Sequence, residues 1–72
     1  MDSIKQRFLE VIAERGPVSD DTLAGELGDQ VAESEAQPHT AWLAENGYVE
    51  ASEFAPGRWQ ATNKGQEYLR GV

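Results

Sequence analysis

Four polar side chains that can form hydrogen bonds lie close together in the middle of the chain: Ser34, Gln37, His39 and Thr40. A glutamine amide can make paired hydrogen bonds with the edge of an adenine, and a serine hydroxyl can contact a base or a phosphate. The cationic side chains of Arg58 and Lys64 follow further along the chain. This set of residues is suited to recognition by hydrogen bonds.

The same set is poorly suited to catalysis or metal binding. The chain has no cysteine, which excludes a disulfide framework, a cysteine zinc site and a thiol nucleophile. A single histidine, His39, could not anchor a site with several histidine ligands. No serine, histidine and acid have a meaningful spacing, and no glycine-rich phosphate loop is present. We therefore expect no enzyme activity, no catalytic residue, no metal and no cofactor.

The charge of the chain restricts its partners. Thirteen acids against six bases give a formal net charge of −7. Nucleic-acid binding usually draws its affinity from Lys and Arg, which displace counterions from phosphates. Two interpretations remain open: either the protein does not bind nucleic acid, or it works in very high salt. At about 1 M salt the Debye length is about 3 Å, so net charge has little effect at a distance.

Length and hydropathy indicate one small domain. The 72 residues are enough for a single domain spanning residues 1–72, with a core so small that a second subunit could help to stabilise it. A homodimer is therefore one possible form. No apolar run approaches the roughly 20 residues of a membrane span, and no signal peptide pattern is present. We expect a cytoplasmic protein without membrane contact.

The first two predicted helices follow from apolar spacing and capping residues. Residues 4–15 place Ile4, Phe8, Val11 and Ile12 on one stripe, with Arg15 at its polar edge. Asp2 or Ser3 can cap this helix, and Gly16 and Pro17 end it. A short second helix then begins.

Ser19 is a favourable N-cap for this second helix. The helix dipole explains Asp20 and Asp21 in its first turn better than a binding site does. Leu23 and Leu27 should face inward. The helix is expected to last about two turns and to end at Gly28.

A third helix, a hairpin and a last helix complete the chain. The third helix ends at Asn46–Gly47, and a start near residue 34 or 35 places Pro38 in the tolerated first turn. Residues 48–51 and 58–62 read as two strands joined by a turn at 54–57, with Trp59 and Ala61 inward. Thr62 caps the last helix, whose apolar side is Tyr68, Leu69 and Val72.

Two motifs resemble those of a known family. LAENGYVE at 43–50 resembles the end of a recognition helix, and WQATNKGQEYL at 59–69 resembles the segment after a wing, in winged helix-turn-helix domains. The sequence pattern is similar to that of small archaeal repressor-like winged helices and of MarR-type regulators. The resemblance implies an α+β fold: three helices, a two-stranded β-hairpin wing and a short C-terminal helix. It also implies a DNA-binding transcriptional regulator, with its recognition helix at about 34–46 and its wing at about 48–62.

The third helix departs from that family in its charge. With Leu43 at the centre of the buried face, steps of about 100° per residue place Ala36 beside it, with His39 and Thr40 on either side. The opposite, exposed face holds Ser34, Gln37, Pro38, Ala41 and Glu45. In a helix-turn-helix protein this face enters the major groove of DNA. No basic residue lies there, and Glu33, Glu35 and Glu45 would be repelled by phosphates.

Two functions therefore compete. In a regulator of double-stranded DNA, the expected contacts are Ser34, Gln37, His39, Thr40, Arg58 and Lys64, with Arg58 in the minor-groove or phosphate-contacting place of the family. His39 could instead be a packing residue, and Arg58 and Lys64 could simply be solvated. In a protein-interaction module that does not bind DNA, the acidic third helix and Trp42 would dock on a basic protein partner. Trp42 could equally be sheltered against the first helix or the wing.

Overall fold

The computed structural model describes residues 1–28 and 35–71. Within that part the chain is an α+β fold of four helices and a three-stranded antiparallel sheet. The elements, in chain order, are α1 (Ser3–Arg15), β1 (Val18–Ser19), α2 (Asp20–Glu26), α3 (Ala36–Glu45), β2 (Val49–Ala51), β3 (Arg58–Ala61) and α4 (Asn63–Arg70).

Helix α1 begins and ends where its sequence predicts. The side chain of Asp2 accepts a hydrogen bond from the Lys5 backbone N–H at 2.8 Å and so caps the helix. Phe8 and Ile12 are buried, as the stripe indicates. Leu9 is fully buried as well, which the stripe did not include. The reason is that α4 packs on a second side of α1, against Leu9.

Helix α2 is the short, capped helix that the sequence predicts. The Ser19 hydroxyl oxygen accepts a hydrogen bond from the Thr22 backbone N–H at 3.2 Å. Leu23 and Leu27 are buried, so the predicted inward face is confirmed. Arg15 of α1 forms an ion pair with Glu26 at 2.6 Å, which explains why the stripe of α1 ends in a charged residue.

The sheet has one strand more than the predicted two-stranded hairpin. Its order is β1-β3-β2, and both pairings are antiparallel. β1 places Val18 opposite Trp59 and Ser19 opposite Arg58. A strand of two residues has no alternation that a sequence pattern could reveal. It exists because the chain between α1 and α2 passes beside the free edge of β3.

Helix α3 starts at Ala36, so Pro38 lies in its first turn as predicted. It ends at the predicted place, since Gly47 has a φ of 81°, a conformation that favours glycine. Its inward face packs into one apolar core with α1, α2 and β2. The buried apolar residues of that core are Phe8, Leu9, Val11, Ile12, Val18, Leu23, Ala24, Leu27, Ala36, Leu43 and Val49.

Helix α4 closes the other side of α1. The Thr62 hydroxyl oxygen accepts a hydrogen bond from the Gly65 backbone N–H at 3.1 Å, which confirms Thr62 as the N-cap. Tyr68 and Leu69 are half-buried against the core, as predicted. The third residue of the predicted apolar side, Val72, lies outside the described residues.

Candidate functional site

The two faces of α3 are distributed as the sequence predicts. Gln37, Pro38 and Glu45 are exposed, and Ala41 is half-buried. Ala36 and Leu43, on the other face, are buried. Ser34, the remaining residue of the predicted exposed face, lies outside the described residues. Among the described residues, the outward face therefore offers one amide, two small apolar surfaces and a carboxylate.

Thr40, one of the predicted DNA contacts, has an internal role in the structure. The residue is fully buried, so its side chain presents no surface to a base or a phosphate. Its hydroxyl donates to the Oδ1 atom of Asp20 at 2.8 Å. A buried hydroxyl needs such a partner, because an unpaired one costs about 1–3 kcal/mol. Thr40 therefore holds α3 to α2.

His39 takes the packing position that the sequence left open as an alternative. Its ring lies 5.2 Å from the ring of Phe8, measured between centroids, and its Nδ1 atom is buried. Among the described residues this nitrogen has no hydrogen-bond partner. The imidazole thus faces α1, away from the direction in which Gln37 projects.

Asp20 is the polar centre that the sequence analysis missed. Its Oδ1 atom accepts hydrogen bonds from the Thr40 hydroxyl at 2.8 Å and from the Trp59 indole Nε1–H at 2.9 Å. One carboxylate oxygen of α2 thus joins α3 to β3. The sequence explained Asp20 through the helix dipole alone. No local pattern could reveal this contact, because the two partners lie 20 and 39 residues away along the chain.

Arg58 is an exposed cation at the start of β3, the central strand of the sheet. It is the first residue of β3, opposite Ser19 of β1 and directly before Trp59. Within the described residues its guanidinium has no ion pair. Its side chain can therefore meet an external anion without first breaking a described salt bridge.

Lys64 is engaged inside the protein. Its Nζ atom donates to the Asn46 carbonyl at 2.6 Å and lies 4.6 Å from the ring centroid of Tyr48. The first contact places a cation at the C-terminal end of α3, where the helix dipole favours positive charge. A phosphate would have to compete with both contacts, so we leave Lys64 out of the proposed interface.

Trp42 is sheltered, which was one of its two expected positions. Its ring stacks on Tyr48 with centroids 6.0 Å apart, and the Nζ atom of Lys5 lies 5.5 Å from its ring centroid. Tyr48 in turn meets Tyr68 edge-on at 5.5 Å. The indole is half-buried and belongs to an aromatic stack that ties α1, α3 and α4 together.

The turn between β2 and β3 presents a different aromatic residue to solvent. Phe54 is 92% exposed. The turn that carries it is ordered by the Ser52 hydroxyl oxygen, which accepts from the backbone N–H groups of Phe54 and Ala55 at 3.2 Å each. The sequence predicted only a turn here. An aromatic residue between two strands, where no sheet face can cover it, was the signal that could have drawn attention to Phe54.

Residues 1–28 and 35–71 lack two kinds of feature. No group of three or more His, Cys, Asp or Glu side chains is placed to hold a metal ion. No helix in the described part of the chain has the length and hydropathy needed to cross a bilayer. Comparison of the chain with protein-family models and with curated proteins finds no match.

Proposed function

We propose that the protein is a DNA-binding regulator of the winged helix-turn-helix type. Helix α3 is the recognition helix, and the hairpin of β2 and β3 is the wing. The observation that carries the proposal is the pair of faces on α3. One face is buried against α1 and α2, and the other presents Gln37, Pro38 and Ala41 outward. A helix held in this way by a preceding helix is the element that enters a major groove.

The chemistry of these side chains fits base reading better than phosphate binding. Gln37 can pair with the N6 and N7 positions of adenine, and Pro38 and Ala41 can touch a thymine methyl group. Arg58, at the start of the central strand β3, provides the phosphate or minor-groove contact. Because His39 and Thr40 point into the protein, the proposed interface contains Gln37, Pro38, Ala41 and Arg58.

The acidic charge sets the conditions for binding. A net charge of −7 repels DNA when the ionic strength is low. At about 1 M salt the Debye length of about 3 Å removes most of that repulsion, while hydrogen bonds and shape remain. We therefore propose a regulator adapted to high salt, whose affinity depends little on the release of counterions.

A salt titration of duplex binding tests the proposal. Fluorescence anisotropy would follow a labelled random-sequence duplex, and then a duplex enriched from a randomised pool, from low salt to several molar KCl. We expect binding that persists at molar salt. On the enriched duplex, Gln37→Ala should cost about 1–3 kcal/mol of binding free energy. Arg58→Ala should weaken binding to all duplexes and reduce the salt slope by about 1.

Two matched variants control for nonspecific effects. Gln66→Ala and Arg70→Ala remove the same chemical groups from exposed positions on α4. Neither should change the affinity for the enriched duplex. Absence of duplex binding by the wild-type protein at every salt concentration would refute the proposed function.

The exposed turn favours a second candidate, a protein-interaction module. Phe54 is held outward on an ordered turn beside Glu53, and Glu50 is exposed on β2. An exposed aromatic side chain next to an acid suits an apolar pocket with a basic rim. In this second candidate function the anchoring residue is Phe54, whereas the sequence had suggested Trp42, which is sheltered.

A displayed peptide library distinguishes this candidate from the first. Peptides would be selected on the wild-type protein and counter-selected on Phe54→Ser. Enrichment of peptides that combine Arg or Lys with an apolar side chain, and that bind only when Phe54 is present, would favour the interaction module. Failure to enrich any peptide in a Phe54-dependent way would reject it.

A further inference from the structure

Asp20 joins the two surfaces that the proposed function uses. One of its hydrogen-bond donors is Thr40, whose hydroxyl also lies 3.1 Å from the Gln37 carbonyl oxygen, one turn earlier on α3. The other donor is Trp59, which directly follows Arg58 on β3. Each donor thus sits next to one of the residues that we assign to the DNA interface.

We infer that Asp20 is a positioning residue that fixes the spacing and orientation of α3 relative to β3. Its role is to hold Gln37 and Arg58 at one mutual distance, so that both can contact a duplex at the same time. This inference rests on the proposed function for its consequence on DNA. The structural part of the inference, that Asp20 fixes α3 against β3, depends only on the contacts of Asp20.

The geometry makes Asp20 hard to replace. Both donors converge on the same atom, Oδ1, at 2.8 and 2.9 Å, which are ordinary distances for well-formed O–H···O and N–H···O hydrogen bonds. Within the described residues no side-chain hydrogen bond joins α3 to β3 directly. Without the carboxylate, Thr40 could still turn its hydroxyl to carbonyl groups of its own helix. The two elements would then lose their shared polar partner.

Fixed spacing matters because two contacts made together on a rigid frame reinforce each other. A frame that is ordered before binding avoids the entropy cost of ordering its side chains at binding. The free-energy effects of Gln37→Ala and Arg58→Ala should therefore be coupled in the wild-type protein. Sites that move independently show additive effects.

The chain contains a matched control at the next residue. Asp21 carries the same charge in the same first turn of α2, but it is exposed. Asp20→Ala and Asp21→Ala both remove one negative charge, so they change repulsion from DNA by similar amounts. A difference between the two variants therefore reports the hydrogen bonds of Asp20.

The first experiment needs no DNA. Residual dipolar couplings of backbone N–H groups would be measured for α3 and for β2 and β3 in ¹⁵N-labelled protein. We expect one alignment tensor to fit both regions in the wild-type protein and in Asp21→Ala, and separate tensors to be needed in Asp20→Ala. If Asp20→Ala does not fold, Thr40→Val removes one donor with little change of shape, and Thr40→Ser restores it. A single tensor for both Asp20→Ala and Thr40→Val would overturn the inference.

The second experiment uses the enriched duplex under the conditions of tightest wild-type binding. We expect Asp20→Ala to bind about 3- to 10-fold more weakly than Asp21→Ala, and the coupling between Gln37→Ala and Arg58→Ala to disappear. Equal affinities for the two aspartate variants would overturn the link to binding. Absence of wild-type binding would instead refute the proposed function, and the dipolar couplings would still decide whether Asp20 positions α3.

Discussion

The short strand β2 connects two regions that use their side chains in opposite ways. At its start lies the junction between α3 and α4, formed by Asn46, Gly47, Tyr48, Thr62, Lys64 and Gly65. At its end lies the turn of residues 52–57. In the junction, the side chains of Thr62 and Lys64 both bond to the backbone at the end of α3. In the turn, the Ser52 hydroxyl accepts hydrogen bonds from the backbone of its near neighbours Phe54 and Ala55, and Phe54 projects into solvent.

This difference separates what builds the fold from what is available for contacts. The junction sets where α3 ends and where α4 begins. The polar side chains of Thr62 and Lys64 therefore already have hydrogen-bond partners inside the protein. The turn is held by its own hydrogen bonds and leaves a large apolar side chain without cover. A change in the junction should therefore affect stability, and a change at Phe54 should affect contacts with other molecules.

The largest effect on stability is expected at Gly65. It is buried in α4, and a Cβ atom there would clash with the Tyr48 carbonyl oxygen and lie 3.0 Å from the Leu9 Cδ1 atom. Gly65→Ala should lower the free energy of unfolding by about 1–3 kcal/mol through overpacking. Gly25 is the control, because a Cβ atom there meets nothing within 4 Å. Gly25→Ala should raise stability by about 0.5–1 kcal/mol, since alanine is the better helix former.

Urea unfolding followed by circular dichroism measures both variants. Equal destabilisation by Gly65→Ala and Gly25→Ala would show that the close approach of α4 to Tyr48 has no energetic weight, which would remove the main contrast between the junction and the turn.

Thr62 should follow with an intermediate effect. Its hydroxyl accepts from the Gly65 N–H and can donate to the Gly47 carbonyl at 2.6 Å. Thr62→Ala should cost about 1–2 kcal/mol, because it removes both the N-cap and a bond to the end of α3. Thr62→Ser keeps the hydroxyl and should retain most of the stability. Thermal unfolding of both variants checks this, and similar losses in each would assign the effect to the methyl group instead.

Within the turn, substitutions at Ser52 and at Phe54 should differ in their effect on stability. Ser52→Ala removes the acceptor of two backbone N–H groups and should cost about 0.5–1.5 kcal/mol. Phe54→Ser should change stability by no more than about 0.5 kcal/mol, because the side chain is already in water. The same unfolding experiment serves for both. A large loss of stability in Phe54→Ser would mean that the ring has an internal partner, and that the turn resembles the junction.

The smallest effect is expected at Asp2, whose partner Lys5 has its Nζ atom 5.5 Å from the ring centroid of Trp42, which stacks on Tyr48 of the junction. Hydrogen bonds from the Lys5 side chain and then from its backbone N–H hold the pKa of Asp2 below its usual value. Because this pKa is lower in the folded than in the unfolded chain, the contact stabilises the fold above the unfolded pKa. That contribution disappears as the pH falls through the folded pKa.

A carbon-detected NMR titration of the Asp2 carboxyl group measures this pKa directly. Lys5→Gln should raise it towards its usual value, while the backbone hydrogen bond keeps part of the shift. An unchanged pKa in Lys5→Gln would mean that the ammonium group contributes nothing to the capping of α1.

The sequence by itself determined the helices, their caps and the hairpin, because these features depend on residues within a few positions of one another. Apolar spacing located α1 and α2, Gly47 ended α3, and Thr62 and Ser19 were identified as caps from their residue types. The same periodicity assigned the two faces of α3. Features of this kind can be predicted from the sequence, because the residues that interact are close together in the chain.

Only the tertiary structure decided which polar groups are free to act. Thr40 and Lys64 look like surface contacts in the sequence, but their bonds to Asp20 and Asn46 occupy them. The strand β1 and the convergence of Thr40 and Trp59 on Asp20 depend on segments far apart in the chain. A hydrogen bond between distant residues leaves no trace in local spacing, because only the packing of the core brings its two partners within reach.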